Sequence, residues 1–382
     1  MGIIYLDYNA TTPLDNDVFK VISNFFNDIW GNPSSVHQLG RRARASLDDA
    51  RDRIATVFKC KPSEVVFTSG GTESNNLALF GSIRHLQKKG KHIVTSRIEH
   101  HAVLHALEYL EKHENFEITR VGVDGEGRVD PDQIQRELRP DTILVSVMAA
   151  NNEIGTVQPV AEIGAICRER GIIFHTDAVQ WFGKEPFESI HQFNADLVSV
   201  CAHKLHGPKG VGALYIRSPL LPDPILFGGG HENERRAGTE NLPGIIGLAE
   251  VIERFVHKPV FPSERLWTLT RRLEDALLEI EGVQLASPRR GRLANTVSFL
   301  VKRADSIALL ANLDLEGVCA SSGSACTAGS LQPSHVIESL GVELSLANSL
   351  VRLSLGRETS EGDIERVESI LPEVIGRAQA LQ

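Results

Sequence analysis

The side chains with most chemistry to offer fall in polar clusters, each placed where a strand-like run ends. Ser69-Gly70-Gly71-Thr72-Glu73 is the first. Small residues between a strand and a helical stretch let backbone N–H groups and the Thr72 hydroxyl cradle a phosphate at a helix N-terminus. The Walker pattern is absent, and an ordinary glycine turn is the bland alternative. His100 follows the next run; an imidazole there can stack on a flat aromatic ring or move protons, although a structural histidine is the commoner case. Asp177 follows a buried run, where a carboxylate is costly unless it meets a positive charge. A protonated pyridine nitrogen would be that charge: pairing with Asp177 would make the ring an electron sink, and Gln180 could hydrogen-bond the ring hydroxyl. Lys204, in CAHKLHGPKG, is held between a strand-like run and the turn at Pro208 and Gly210. A lysine so placed, partly desolvated and near other positive groups, can have its pKa lowered enough to form a Schiff base. Most lysines are solvated surface residues, but His203 and Asp177 tip the balance here.

Three further residues are candidates for handling a substrate. Cys326 sits in SSGSACTAGSLQPSH, residues 321–335, a run so short of bulky side chains that a mobile loop with an exposed thiol is expected. Cys167 and Cys319 have apolar neighbours and read as inert, while Cys60 is uninformative. Arg357, just after the alternating run Val351 to Leu355, offers a fork that matches a carboxylate, or else a surface ion pair. Asn152, in AANNEIG, could orient a ligand or be a plain loop asparagine.

These residues need a scaffold that brings strand ends together. From about residue 60 to 220 the sequence repeats short runs rich in Val, Ile or Phe: Val65 to Thr68, His92 to Ser96, Thr142 to Met148, Ile172 to Phe174, Leu197 to Val200 and Val211 to Ile216. Helical stretches lie between several of them, which predicts an α/β domain with a mostly parallel central sheet. Binding groups gather beyond the carboxyl ends of such strands. The segment His257 to Glu264, with two prolines, reads as a linker to a smaller α+β domain. There a helix marked by Leu266, Leu269, Leu273, Leu277 and Ile280 closes at Gly282, and Val351, Leu353 and Leu355 alternate as in a sheet with one covered and one wet face. Ser360 and Asp363 resemble a capping box that opens a final helix.

With 382 residues, 42% of them hydrophobic, the chain is long enough for a large core and a smaller one. Its net charge of −9 comes from mixed signs along the sequence, which argues against direct nucleic-acid binding. No apolar stretch reaches the roughly 18 residues of a membrane span, and Met1 to Asp7 lacks a signal-peptide layout. A cytoplasmic location is the expectation. Five cysteines form an odd set without CxxC spacing, so neither a disulfide framework nor a metal site is suggested.

Taken together, YLDYNATTP, GNPSSVH, TSGGTESNN, EHHAVL, NNEIG, HTDAVQ, AHKLHGPKG, RAGTEN, SSGSACT and SLGR closely resemble the cysteine desulfurases of the NifS and IscS type, within the fold-type I pyridoxal phosphate (PLP) enzymes. The likeness runs nearly end to end. It implies that Lys204 makes the Schiff base with PLP, His100 stacks on the ring, and Asp177 and Gln180 hold its nitrogen and hydroxyl. Gly71, Thr72 and His203 would bind the phosphate, and Thr239 would reach the phosphate of the other subunit of a homodimer. Asn152 and Arg357 would grip the L-cysteine substrate, and Cys326 would accept its sulfur for transfer to an acceptor protein such as an iron-sulfur scaffold or a thiolation enzyme. The resemblance divides the chain into a large PLP-binding domain, 15–258, and a small domain, 1–14 with 259–382. One position departs: Cys201 stands where relatives usually have a serine, so a hydroxyl contact to the phosphate becomes a weaker thiol one. Selenocysteine or cysteine-sulfinate lyase chemistry, and a non-catalytic sulfur-transfer scaffold, are the alternatives.

Overall fold

The computed structural model describes residues 2–323 and 333–380. Cys326 lies outside the described residues. In chain order the strands are β1 (Ile4–Tyr5), β2 (Val65–Thr68), β3 (His92–Ser96), β4 (Glu117–Val121), β5 (Thr142–Ser146), β6 (Ile173–Asp177), β7 (Leu197–Cys201), β8 (Gly212–Ile216), β9 (Val283–Leu285), β10 (Thr296–Val301), β11 (Val318–Cys319) and β12 (Val351–Ser354).

Seven of them form one sheet in the order β2-β8-β7-β6-β5-β3-β4. Strand β8 runs antiparallel to both its neighbours, and every other pair is parallel. It follows that β2 to β7 all end on the same edge, where the polar clusters collect. Strands β2, β3, β5, β7 and β8 are buried throughout, which is why continuous apolar runs found them. Strand β6 continues past Phe174 to Asp177. Its polar residue His175 is paid for inside the sheet, with Ser146 Oγ at 2.9 Å and Ser199 Oγ at 3.0 Å. Strand β4 was invisible to a search for apolar runs because it is an edge strand beginning at an exposed glutamate.

The large core packs helices Asn16–Asn27, Gln38–Phe58, Val160–Glu169 and Leu242–Phe255 against this sheet, with Leu47, Ile54, Phe174, Val198 and Ile252 inside it. A separate cluster contains Leu6, Tyr8, Phe261, Leu273, Phe299, Leu353 and Val374. Around it stand a three-stranded antiparallel sheet, order β12-β10-β9, and helices Ser263–Leu278, Ser306–Leu315 and Glu361–Gln379. The last helix opens on the Ser360–Asp363 capping box.

The expected wet face of β12 is not there. All four of its residues are buried. Val351 and Leu353 join the smaller core, whereas Ser354 Oγ accepts from Asn9 N and Arg352 is tied to Asp7. The polar side of the strand faces the N-terminal segment instead of water.

Candidate active site

At the common edge of β2 to β7 lies a cavity of about 200 Å³, many times the ~10–15 Å³ that one water needs. Gly71, Thr72, His100, Asn152, Asp177, Gln180, Cys201, His203 and Lys204 all line it, together with Asn9 and Arg352. Of the twelve positions expected to serve the site, eleven are among the described residues, and nine of those are gathered in one place.

Lys204 Nζ donates to the carbonyl oxygens of Asn9 and, at 2.8 Å, Ala10. Burial pulls its pKa down to about 8, with the nearby Arg352 acting in the same direction. Asp177, at the end of β6, accepts from Asn75 Nδ2 at 2.6 Å and from Val179 N at 3.0 Å. Gln180 Nε2 donates to the Asn9 carbonyl at 2.8 Å. His100 is the N-cap of helix His101–His113, and its Nδ1 accepts from Ala102 N at 3.1 Å. An accepting Nδ1 places the proton of the neutral ring on Nε2. His203 Nδ1 lies 3.1 Å from Thr11 Oγ1, and burial lowers its pKa to about 4.

Gly70 has φ +149° and Gly71 opens the helix Gly71–Asn76 without a side-chain cap, so first-turn N–H groups are left for another acceptor. A Cβ on Gly71 would come within 2.8 Å of Val179 Cγ2, which makes glycine the residue that fits this approach. Glu73, in the same turn, is turned aside by Arg236 Nε at 2.8 Å and by Ser69 N at 2.8 Å. Its charge is thereby neutralised by a residue of the RAGTEN segment.

The thiol of Cys201 is buried and pushed up to about 11 by that burial, so it is neutral at pH 7. Cys60 and Cys167 are likewise pushed up to about 12, and Cys319 is raised, in each case chiefly by burial.

Two expected residues are elsewhere. Arg357 is not among the cavity residues; it pairs with Asp15 at 2.9 Å and Glu358 at 2.6 Å. The arginine in the cavity is Arg352, from within β12. Its Nη1 donates to the carbonyls of Asn152 and Gly323, both at 2.9 Å, its Nη2 to Asp7 Oδ1 at 2.8 Å, and its buried Nε has no partner among the described residues. Sequence reasoning passed over it because it alternates with apolar residues, the pattern of an exposed position. Thr239 is exposed and also outside the cavity. Asn9 was missed as well. It lies in the YLDYNATTP segment, and its backbone oxygen and side chain serve Lys204, Gln180, Lys184, Thr296 and Asn295 at once.

The donor set fits PLP: an amine of lowered pKa, a carboxylate at the opposite need of a ring nitrogen, and an uncapped helix start for a phosphate border one enclosure. Among the described residues no group of three or more His, Cys, Asp or Glu side chains is placed to hold a metal, and no helix is long and apolar enough to cross a membrane.

The family model for aminotransferase class-V matches residues 4–367. The chain belongs to that family. A protein named cysteine desulfurase IscS from Dictyoglomus turgidum is 45% identical over 99% of this chain and 96% of its own length. A solved structure titled NifS-like protein superposes with a TM-score of 0.91 at 34% identity, covering 98% of this chain and 99% of the other. A second, titled SspA in complex with cysteine, gives 0.82 at 33%, covering 94% and 100%. Within its family the chain is one of the cysteine desulfurases.

Proposed function

We propose that this chain binds PLP through Lys204, takes the sulfur of L-cysteine onto Cys326 and releases L-alanine. The observation that carries the reading is the convergence of Lys204, Asp177 and the uncapped turn at Gly71 and Thr72 on one cavity. Bound PLP supplies an electron sink for charge developing at the substrate Cα. Asp177 holds the ring nitrogen protonated, Gln180 meets the ring oxygen, and Gly71, Thr72 and His203 take the phosphate. Lys204, with a pKa of about 8, exists partly as the free amine near neutrality and can remove and return the Cα proton. His100, carrying its proton on Nε2, covers the ring and can pass a proton within the cavity.

Arg352 replaces Arg357 as the carboxylate-binding residue in this reading, because it is the guanidinium that borders the cavity. Asn152 stands beside it, its carbonyl held by Arg352. The same guanidinium binds Gly323 O, three residues before Cys326 in the sequence. Glu153 holds the other side of that segment through Ser334 Oγ at 2.5 Å. The described residues that flank Cys326 in the sequence are in this way anchored by Arg352 and Glu153. The chemistry balances without an external oxidant: cysteine plus the thiol of Cys326 gives alanine plus a persulfide.

The reading extends to a homodimer, with Thr239 serving the phosphate site of the other subunit. Exposed Thr239 lies three residues after Arg236, which pairs with Glu73 beside the phosphate turn. It extends also to a cytoplasmic location and to delivery of the sulfur to an acceptor protein, such as an iron-sulfur scaffold or a thiolation enzyme. The deciding experiment incubates PLP-loaded protein with cysteine, quantifies alanine, and asks by mass spectrometry for one extra sulfur on Cys326. Alanine formed at the wild-type rate by Cys326→Ala would sink the role given to that thiol.

A further inference from the structure

A second lysine lies behind the cavity wall. Lys184 is 3% exposed, and a buried cation is usually more costly than an apolar side chain of the same size. Its presence therefore calls for an account. Gly183, with φ +73°, turns the chain so that Lys184 points inward; a Cβ there would come within 2.5 Å of Leu205 Cδ2. Lys184 Nζ donates to Gln180 Oε1 at 2.5 Å and to Asn9 Oδ1 at 2.9 Å, and it sits 5.2 Å from the ring centre of Phe261. Two oxygen acceptors and one aromatic ring thus surround the amine.

The consequence falls on Gln180. An amide can present its oxygen or its nitrogen to a neighbour, and the neighbours decide which. A backbone carbonyl can only accept, so the atom facing Asn9 O is Nε2, and Oε1 is left to accept from Lys184 Nζ. The amide is locked from both ends. Its oxygen is engaged by Lys184 and one N–H by Asn9, which leaves one N–H for the cavity that Gln180 lines. Resting on the PLP reading, we infer that Lys184 is a positioning residue: it compels Gln180 to act toward the cofactor as a donor, and so holds the ring oxygen in its anionic form.

The test follows the pH titration of the visible absorption of the PLP-loaded protein, whose midpoint reports how well the anionic ring oxygen is stabilised. Lys184→Met, similar in length but without a donor, should raise that midpoint by about one unit, the scale of one hydrogen bond to a charged group. Lys184→Gln keeps a donor and should stay near the wild-type midpoint. Gln180→Glu keeps the Lys184 contact but puts an acceptor toward the ring, and should raise the midpoint at least as far as Lys184→Met. A Lys184→Met protein that only melts at lower temperature, with its midpoint unmoved, would overturn the inference in favour of a merely structural lysine. Should that variant fail to fold, Gln180→Glu decides alone, since a wild-type midpoint there contradicts the donor role. A wild-type protein that takes up PLP with no such band refutes the PLP reading itself, and the inference with it.

Discussion

Lys204 shows how much a single residue's surroundings set its chemistry. Its amine is held by two carbonyls from the N-terminal segment, yet burial favours its neutral form. The folded chain binds the Lys204 proton less tightly than the unfolded one, so the cost of burying the ammonium is full below about pH 8 and is relieved as pH climbs toward 10.5. Only the free amine attacks an aldehyde. The rate at which apoprotein captures PLP should accordingly rise with pH and level off above about 8, measured by stopped-flow absorbance. A rate still climbing about tenfold per pH unit through pH 9 would contradict the lowered pKa. Cys201 supplies a second expectation. Its neutral thiol is a weak hydrogen-bond partner, so Cys201→Ser should slow PLP loss by about threefold to tenfold, the worth of one ordinary hydrogen bond. Dialysis against a carbonyl scavenger would measure it. The two arginines supply a third. Arg352→Lys should raise the KM for cysteine by at least about tenfold through loss of a forked contact, whereas Arg357→Ala should leave KM unchanged and cost about 1 kcal/mol or less as a partly exposed pair.

At the scale of elements, the parallel strands position the site by ending together, and the sequence made this legible. Lys204, His100 and the glycine turn stand out because each follows an apolar run that is buried on both faces, and Asp177 because it closes the strand that such a run opens. What stayed hidden has a common cause. Strand β12 and residues 5–13 present polar groups to one another in the interior, as in the contacts Asn9–Ser354 and Asp7–Arg352, and a hydrophobicity pattern reads such positions as wet. The close approach of the Gly71 helix to the turn after β6 is another feature of packing that no local pattern reveals. Gly71→Ala should weaken PLP binding by forcing Val179 aside, and Val179→Ala in the same chain should restore most of the loss. Equilibrium titration of the apoproteins checks both steps; an unimpaired single variant would show that Val179 yields freely.

Across the whole molecule, residues 4–13 join the two cores. Leu6 and Tyr8 pack in the smaller one, while Asn9 and Ala10 hold Lys204 in the larger. A ligand bound at Lys204 therefore stabilises more than its own pocket. By mass action, PLP at a hundred times its Kd adds about 2.7 kcal/mol. Hydrogen exchange should slow on loading in β12 and in residues 5–13 as well as at the ends of β6 and β7. Protection confined to the larger core would show that the two cores respond separately.

The reach of Asn9 along the sequence has a consequence for how the protein is made. Its carbonyl waits for Lys204, 195 residues later, and its backbone N–H for Ser354, 345 residues later. During synthesis at ~5–20 residues per second, roughly 17 to 70 seconds pass before Ser354 follows Asn9 off the ribosome. The large sheet and the contact of Lys204 with Asn9 can form in that interval, but the tie of Asn9 to β12 cannot. The N-terminal segment is thus fixed to both cores only late in the life of the nascent chain, once β12 has been made.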